Sequence, residues 1–413
     1  MLVDVGDTIV EVHGYAKQGA SFGYTRVRGL NTLLATAGTA ESAPVVVAQR
    51  LRRGSCGSPR GAKRLVADAV KTVTRLTPGR PMLLRADSAF YGRDTIAAAI
   101  PAGAEVSVTV KQTAPVKAAI AAINADAWIP IAYRKAVFDE ATGRWISRAE
   151  VAEISFTAFA SGPKTKQVPG RLVVRRIPEL NPTGQAGLFA VWRYHAFFTT
   201  SRSDSLDTVA ADKIHRGHAV IEQVHADLKN SALAHLPSGR FTAKAAWLVL
   251  AVIAFNLTRA AATLTGPQLA KATTGTIRRT LIAVPARIAT SARRLMLHLP
   301  INWPWQQAWT AWFNRVCGPP VASSTYHPAR RRDQDPVEQT DSEVRNHPCL
   351  YRRNITGSAI KINPQANRWI EASVASGCTS GCSSADRPRS PESSRRTTSA
   401  ALERSSSDVG WPT

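Results

Sequence analysis

The sequence predicts an α/β fold, and three observations carry that expectation. The first hundred residues run through three β-type segments, a helix with 3.6-residue apolar spacing, a short apolar strand and a second helix. The hydrophobic fraction is an ordinary 44% over 413 residues, enough for a sizeable core. An aspartate closes the short apolar strand, and in α/β sheets such strand ends commonly face a ligand crevice.

Taken in order, Met1–Val12 alternates as a strand with almost no lead-in, so a segment upstream is expected to be missing. Asn31–Ala37 and Pro44–Leu51 are rich in Val and Leu and read as two more strands. Lys63–Leu76 places Leu65, Val66, Ala69, Val70, Val73 and Leu76 at helical spacing and closes on Pro78-Gly79. Pro81–Ala86 is a short buried strand ending on Asp87-Ser88, and Asp94–Ile100 is a short helix. This is the order in which RNase H-like folds begin. Glu105–Val110, Val151–Phe159, Arg171–Ile177 and Leu188–Thr200 then read as strands of a mostly β insertion. Helices return at His215–Leu233 and Ala243–Leu264. Val321–Thr413 is rich in Ser, Arg, Pro and Thr with little periodicity, as in a disordered or out-of-frame tail.

The formal net charge is +24. A soluble chain this basic ordinarily meets a polyanion, most often nucleic acid. From Val321 onward 13 Lys and Arg face 10 Asp and Glu, so the preceding residues carry 40 against 19. The excess belongs to the body and not to a basic tail. Five cysteines (Cys56, Cys317, Cys349, Cys378 and Cys382) form no disulfide framework and no zinc pattern. A reduced, cytoplasmic compartment is expected. The start lacks a signal peptide, and the longest apolar run, Ala245–Phe255, falls short of the roughly 20 residues a bilayer needs. It is expected to be a buried helix, with no membrane partner.

Three acids are candidates for chemistry: Asp4 within the first strand, Asp87 at a strand end and Glu222 within a helix. In that helix His215, His218, Glu222, His225 and Lys229 are spaced three, four, three and four residues apart and fall on one stripe. A metal-binding Glu flanked by phosphate-holding groups would use such a stripe. Lys229 offers a point charge, and the histidines offer hydrogen bonds and a titratable cation. Zinc is disfavoured, because the tight His-Glu-x-x-His pattern is absent. Arg26 and Arg28, in a Gly- and aromatic-containing loop with Lys17, and Arg52 and Arg53, at a strand end, are candidate phosphate contacts.

These residues carry a resemblance. Asp4–Gly14, Gly23-Tyr24, Arg28–Asn31, Arg85–Tyr91, Ile221–Gln223 and Asp227–Lys229 resemble, in order, the bacterial insertion-sequence DDE transposases with a transposase DDE domain of group 1, the insertion-sequence class numbered thirteen-eighty. The resemblance covers roughly residues 1 to 320. It implies an RNase H-like catalytic core (1–103 and 206–320), a β-rich insertion (104–205) between the second Asp and the final Glu, and a read-through tail (321–413). It implies DNA transposition by strand cleavage and strand transfer, with two Mg²⁺ or Mn²⁺ ions held by Asp4, Asp87 and Glu222. Double-stranded DNA at transposon ends and targets would be the partner, a homodimer the active complex, and the nucleoid the setting. The family signature of Tyr, Arg, Glu and Lys stands here as His215, His218, Glu222 and Lys229, with spacing kept and two residue types changed. Relatives carry Asp-x-Asp-x-Thr where this chain has Asp4-Val5-Gly6-Asp7-Thr8. Either Asp4 is the ligand or the ligand is lost at Gly6, since alternation points Asp7 to the opposite face. The alternative function is a truncated remnant that binds DNA without cutting it.

Overall fold

A computed structural model of the chain describes residues 1–133, 136–140, 144–147, 149–178, 192–291, 294–300, 303–317 and 359–361. The expected tail apart from 359–361, three of the cysteines and the turn at 181–184 lie outside these residues. Cys56 and Cys317 are free thiols. Contacts divide the chain into one unit of 1–289 with 297–360 and a second of 290–296 with 361–413. Everything below concerns the first.

Its principal strands are β1 (Leu2–Glu11), β2 (Arg28–Gly38), β3 (Val45–Arg53), β4 (Met82–Ala86), β5 (Ala104–Thr109), β6 (Glu150–Ala158), β7 (Val168–Pro178) and β8 (Trp192–Thr199). With two short strands at 21–22 and 129–130 they form one ten-stranded sheet. Its order is β3–β2–β1–β4–β5–β8–β7–β6. The β1–β4 and β4–β5 pairs are parallel and the other pairs of principal strands antiparallel. The sequence separated the strands after residue 104 as an insertion. Here they extend the same sheet, because β8 pairs directly with β5. Backbone hydrogen bonding along a free strand edge is what joins them.

Helices α1 (Ala62–Leu76) and α2 (Arg93–Ala99) cover one face. Val3, Val5, Leu33 and Ala35 from the sheet pack there against Leu65, Val66, Ala69, Val70 and Val73 of α1. The odd positions of β1 therefore face α1, as the two-residue period requires. The even positions face the other side, where Val10, Val12, Leu30 and Leu34 meet α5 (Val220–Lys229) and α6 (Phe241–Thr265) through Val224, Leu228, Leu248, Val252 and Phe255. A short helix, α3 (Ala114–Ala121), falls in the segment expected to be mostly β. α4 (Thr208–Arg216) packs Ala211 against Val151, Val173 and Phe197 of the antiparallel half. α7 (Gln306–Cys317) sets Trp309 among Ala262, Leu269 and Ile277 beyond the end of α6.

Two helix expectations change. His215–Leu233 is not one helix. α4 ends at Arg216, a tight 3-10 turn spans Gly217–Ala219, and α5 starts at Val220. The apolar helix α6 is buried on one side only: Val249, Leu250, Ile253 and Leu257 are 42 to 66% exposed. It is the one described helix long and apolar enough to cross a membrane by composition. Its inner side is tied to the sheet. Lys244 Nζ donates to the Gln18 carbonyl at 3.2 Å, and Asn256 exchanges two hydrogen bonds with the Val46 backbone at 2.9 and 2.8 Å.

α5 is anchored to α6 by Asp227, which accepts from Arg259 Nη2 at 2.7 Å and from the backbone N–H and hydroxyl of Thr274 at 2.9 and 2.6 Å. Removing one partner of such a buried ion pair leaves an uncompensated charge, which typically costs about 3–5 kcal/mol. Asp227→Ala is therefore expected to lower unfolding stability by about that amount. Urea denaturation checks it, and a loss below about 1 kcal/mol, the worth of an exposed pair, would contradict it.

Candidate functional site

The site is built where β1 and β4 run side by side. Asp4 and Arg85 are register partners across that parallel pair. Arg85 Nε donates to Asp4 Oδ1 at 2.8 Å and Nη2 to Oδ2 at 2.7 Å, a two-pronged pair that matches the guanidinium fork to the carboxylate. His218 Nδ1 lies 3.0 Å from the same Oδ1. The remaining arm, Nη1, donates to the Ile214 carbonyl in α4. A side chain at residue 217 would stand 2.7 Å from Nη1, so Gly217 is what lets the guanidinium lie against the turn. Asp4 is 1% exposed, and both its oxygens are committed.

Asp87 and Glu222 are placed differently. Asp87 follows β4 and caps the 3-10 turn Ser88–Phe90, accepting from the Ala89 N–H at 2.7 Å through Oδ1. It is exposed, and no bond to its second oxygen is seen among the described residues. Glu222 stands exposed in the first turn of α5. The Tyr24 hydroxyl is pushed above its ordinary pKa, first by partial burial and then by the charges of Asp7, Glu222 and Asp87. Both Asp87 and Glu222 thus bear on the Tyr24 hydroxyl. Asp7 lies on the other face, as alternation required, where its Oδ2 accepts from Arg52 and Asn31 at 2.6 Å each.

The helical stripe read from the sequence is dispersed by the turn at Gly217. His215 stacks on Phe197 with ring centres 4.0 Å apart and bonds to Ser107 Oγ at 2.8 Å and Thr109 Oγ1 at 3.0 Å. Burial, and then the cations nearby, push its pKa down to about 3. It is a neutral inward-facing ring and not a phosphate contact. His218 reaches Asp4, and His225 is 2% exposed. Lys229 is half-buried beside a groove of about 330 Å³ lined also by Thr8, Val10, Glu11, Thr25 and Val27. Burial lowers its pKa, and Glu222 partly offsets that.

The arginines divide as well. Arg26 and Arg53 are exposed. Arg28 braces its own loop through the Gly14 and Tyr15 carbonyls at 2.6 and 3.1 Å. Arg52 is 8% exposed and holds Asp7, Asn31 and the carbonyls of Ser58 and Arg60. It is a structural clamp, with nothing left for a phosphate. The sequence reading passed over Arg85, although an arginine inside the apolar run Met82–Ala86 is itself a signal of a buried partner.

Two hard divalent ions require free oxygen ligands from several carboxylates. Asp87 and Glu222 fit that requirement. Asp4, buried with both oxygens held by Arg85, does not. Among the described residues no group of three or more His, Cys, Asp or Glu stands at metal-ligating geometry.

A family model described as transposase DDE domain group 1 matches residues 1–318. No curated protein matches. Among solved structures, a piggyBac transposase synaptic complex with hairpin DNA, determined by cryo-EM, is similar at 10% identity with a TM-score of 0.37. The likeness covers 67% of this chain and 51% of that one, so the chain spans about half the length of that protein. So slight a likeness does not by itself define the fold.

His215 gives a pH dependence. Its folded pKa of about 3 lies below the ordinary 6.5, so the unfolded chain binds its proton first as pH falls. Stability is complete above about pH 6.5 and declines as pH drops toward the folded value. His215→Gln is expected to flatten the fall in urea midpoint between about pH 6.5 and 5, above the range where most carboxylates titrate. An unchanged slope in that window would contradict the assignment.

Proposed function

This chain belongs to the transposase DDE domain family, group 1, and from that membership we propose that it works on double-stranded DNA in transposition. An RNase H-like core is part of the proposal. It is supported by the order β3–β2–β1–β4–β5, with β2 antiparallel and β4 parallel to β1. The strands β6, β7 and β8, between β5 and Glu222, would then be the insertion, grown onto the edge of the core sheet through β8. An insertion-sequence origin, a homodimer on paired DNA ends and a cytoplasmic, nucleoid-associated setting belong to the same reading.

The net charge of +24 supports a DNA partner. Arg26, Arg53 and Lys229 are the expected phosphate contacts, since they reach solvent and, among the described residues, hold no carboxylate in an ion pair. Such contacts position DNA without reading its sequence.

Two forms of the reading differ in chemistry. In one the protein cleaves and joins strands with Mg²⁺ or Mn²⁺ held by Asp4, Asp87 and Glu222. In the other it binds DNA without cutting. One observation supports the second form: Asp4 spends both oxygens on Arg85 and His218 inside the core. The geometry therefore favours DNA binding by the chain as it stands, with Asp87 and Glu222 as an incomplete cleavage centre.

Fluorescence anisotropy and strand cleavage on transposon-end duplexes test this together. Salt-dependent binding without cleavage in Mg²⁺ or Mn²⁺ is expected. Arg53→Ala and Lys229→Ala should each reduce the slope of log affinity against log salt by about one. Cleavage by the unaltered chain that is lost in Asp87→Ala or Glu222→Ala would establish the cutting form instead.

A further inference from the structure

Helix α6 is apolar on both sides. Its inner side, with Leu248, Val252 and Phe255, closes the core against the sheet. Its outer side presents Ala246, Leu250, Ile253, Leu257, Ala260 and Leu264, all exposed and separated by four, three, four, three and four residues. That alternation averages 3.5 residues, the repeat that keeps one seam of a helix turned toward a partner helix. Val249 and Ala254 widen the strip and are exposed as well. A helix that is hydrophobic all round is ordinarily enclosed all round. Here the outer half is open.

Charge narrows what can cover it. The only ionisable residues of α6 are Lys244 and Arg259, and both are buried. Lys244 is held inward by the Gln18 carbonyl and Arg259 by Asp227. The outer side of this 25-residue helix therefore carries no charge, in a chain of net charge +24. Two copies of so basic a body repel one another over most of their surface, and this strip sets no like charges face to face. The same feature argues against lipid. A helix lying in a membrane surface ordinarily borders its apolar strip with Lys and Arg, and α6 turns both of its own inward. The strip is also long enough. A helix of this length runs about 37 Å, and two such strips laid together would remove on the order of 1,200 Å² from water, the lower end of the range for specific interfaces.

We propose that the outer side of α6 is a self-association surface, on which the α6 of a second copy of this chain packs along the seam of Leu250, Ile253 and Leu257. The inference goes beyond the transposase reading, which calls for a dimer on DNA but gives it no surface. It is carried by the helix itself and needs no nucleic acid.

The test is sedimentation velocity on the full chain without DNA at micromolar concentration, with thermal melting alongside. The unaltered chain is expected to sediment as a dimer. Raising the salt should leave that dimer in place, because an apolar seam is not screened, whereas one bridged by carried-over DNA would come apart. Leu250→Glu combined with Leu257→Glu should weaken association at least about a hundredfold, since it buries like charges in the seam. Leu76→Glu, the same change at another exposed leucine, should leave the dimer intact. The proposal is overturned if the unaltered chain is a monomer, if it instead cosediments as a monomer with phosphatidylcholine vesicles, or if the doubly substituted chain still dimerises. It is equally overturned if Leu76→Glu dissociates the dimer, or if the doubly substituted chain fails to melt cooperatively, because the strip is then covered within the chain itself. Anisotropy on duplex DNA reads the transposase proposal separately, so the two can fail independently.

Discussion

The Asp4–Arg85 pair is the constraint around which the rest of this unit is arranged. It joins two central parallel strands at the centre of a ten-stranded sheet, in a place where water does not compete for either charge. A buried ion pair holds together only when its remaining hydrogen-bond capacity is met. Arg85 meets it by reaching the Ile214 carbonyl, and Asp4 by receiving His218. The pair therefore fixes more than two strands. It pins the end of α4 and the start of the following turn, and so sets where α5 begins.

The position of α5 then decides the chemistry. At the turn, Gly217 leaves the guanidinium the space a side chain would take. On its near side His215 faces the sheet, and beyond it His225 meets the Gly6 backbone while Glu222 remains in solvent. Asp227 secures the far end of the helix through Arg259 and Thr274. A second clamp of the same kind, Arg52 with Asp7 and Asn31, ties β1, β2 and β3 together on the opposite side of the sheet. Several charged residues of this basic protein are thus spent inside it, and the proposed contact with a polyanion would fall to those at the rim.

Local pattern carried much of the architecture. The alternation of β1, the 3.6-residue spacing of α1 and the apolar run of β4 are properties of ten or fifteen neighbouring residues, and each element appears within a few positions of where its pattern lies. The continuity of the sheet across residue 104 was not legible, because strand pairing depends on which edges meet and not on composition. Nor was the break at Gly217: a lone glycine in a helical pattern is tolerated, and its role here comes from an arginine 132 positions away in the chain.

By itself, then, the sequence determined the class of fold, the positive body, the order of the candidate acids and the family. Those follow from short-range periodicity, charge count and residues kept in sequence order. Only the tertiary structure decided which acids are free. Asp4 and Asp87 look alike in the sequence, each in or after a strand of the first hundred residues. One is enclosed with Arg85 and the other stands in solvent at the end of its strand, because burial and pairing are set by neighbours that arrive from elsewhere in the chain.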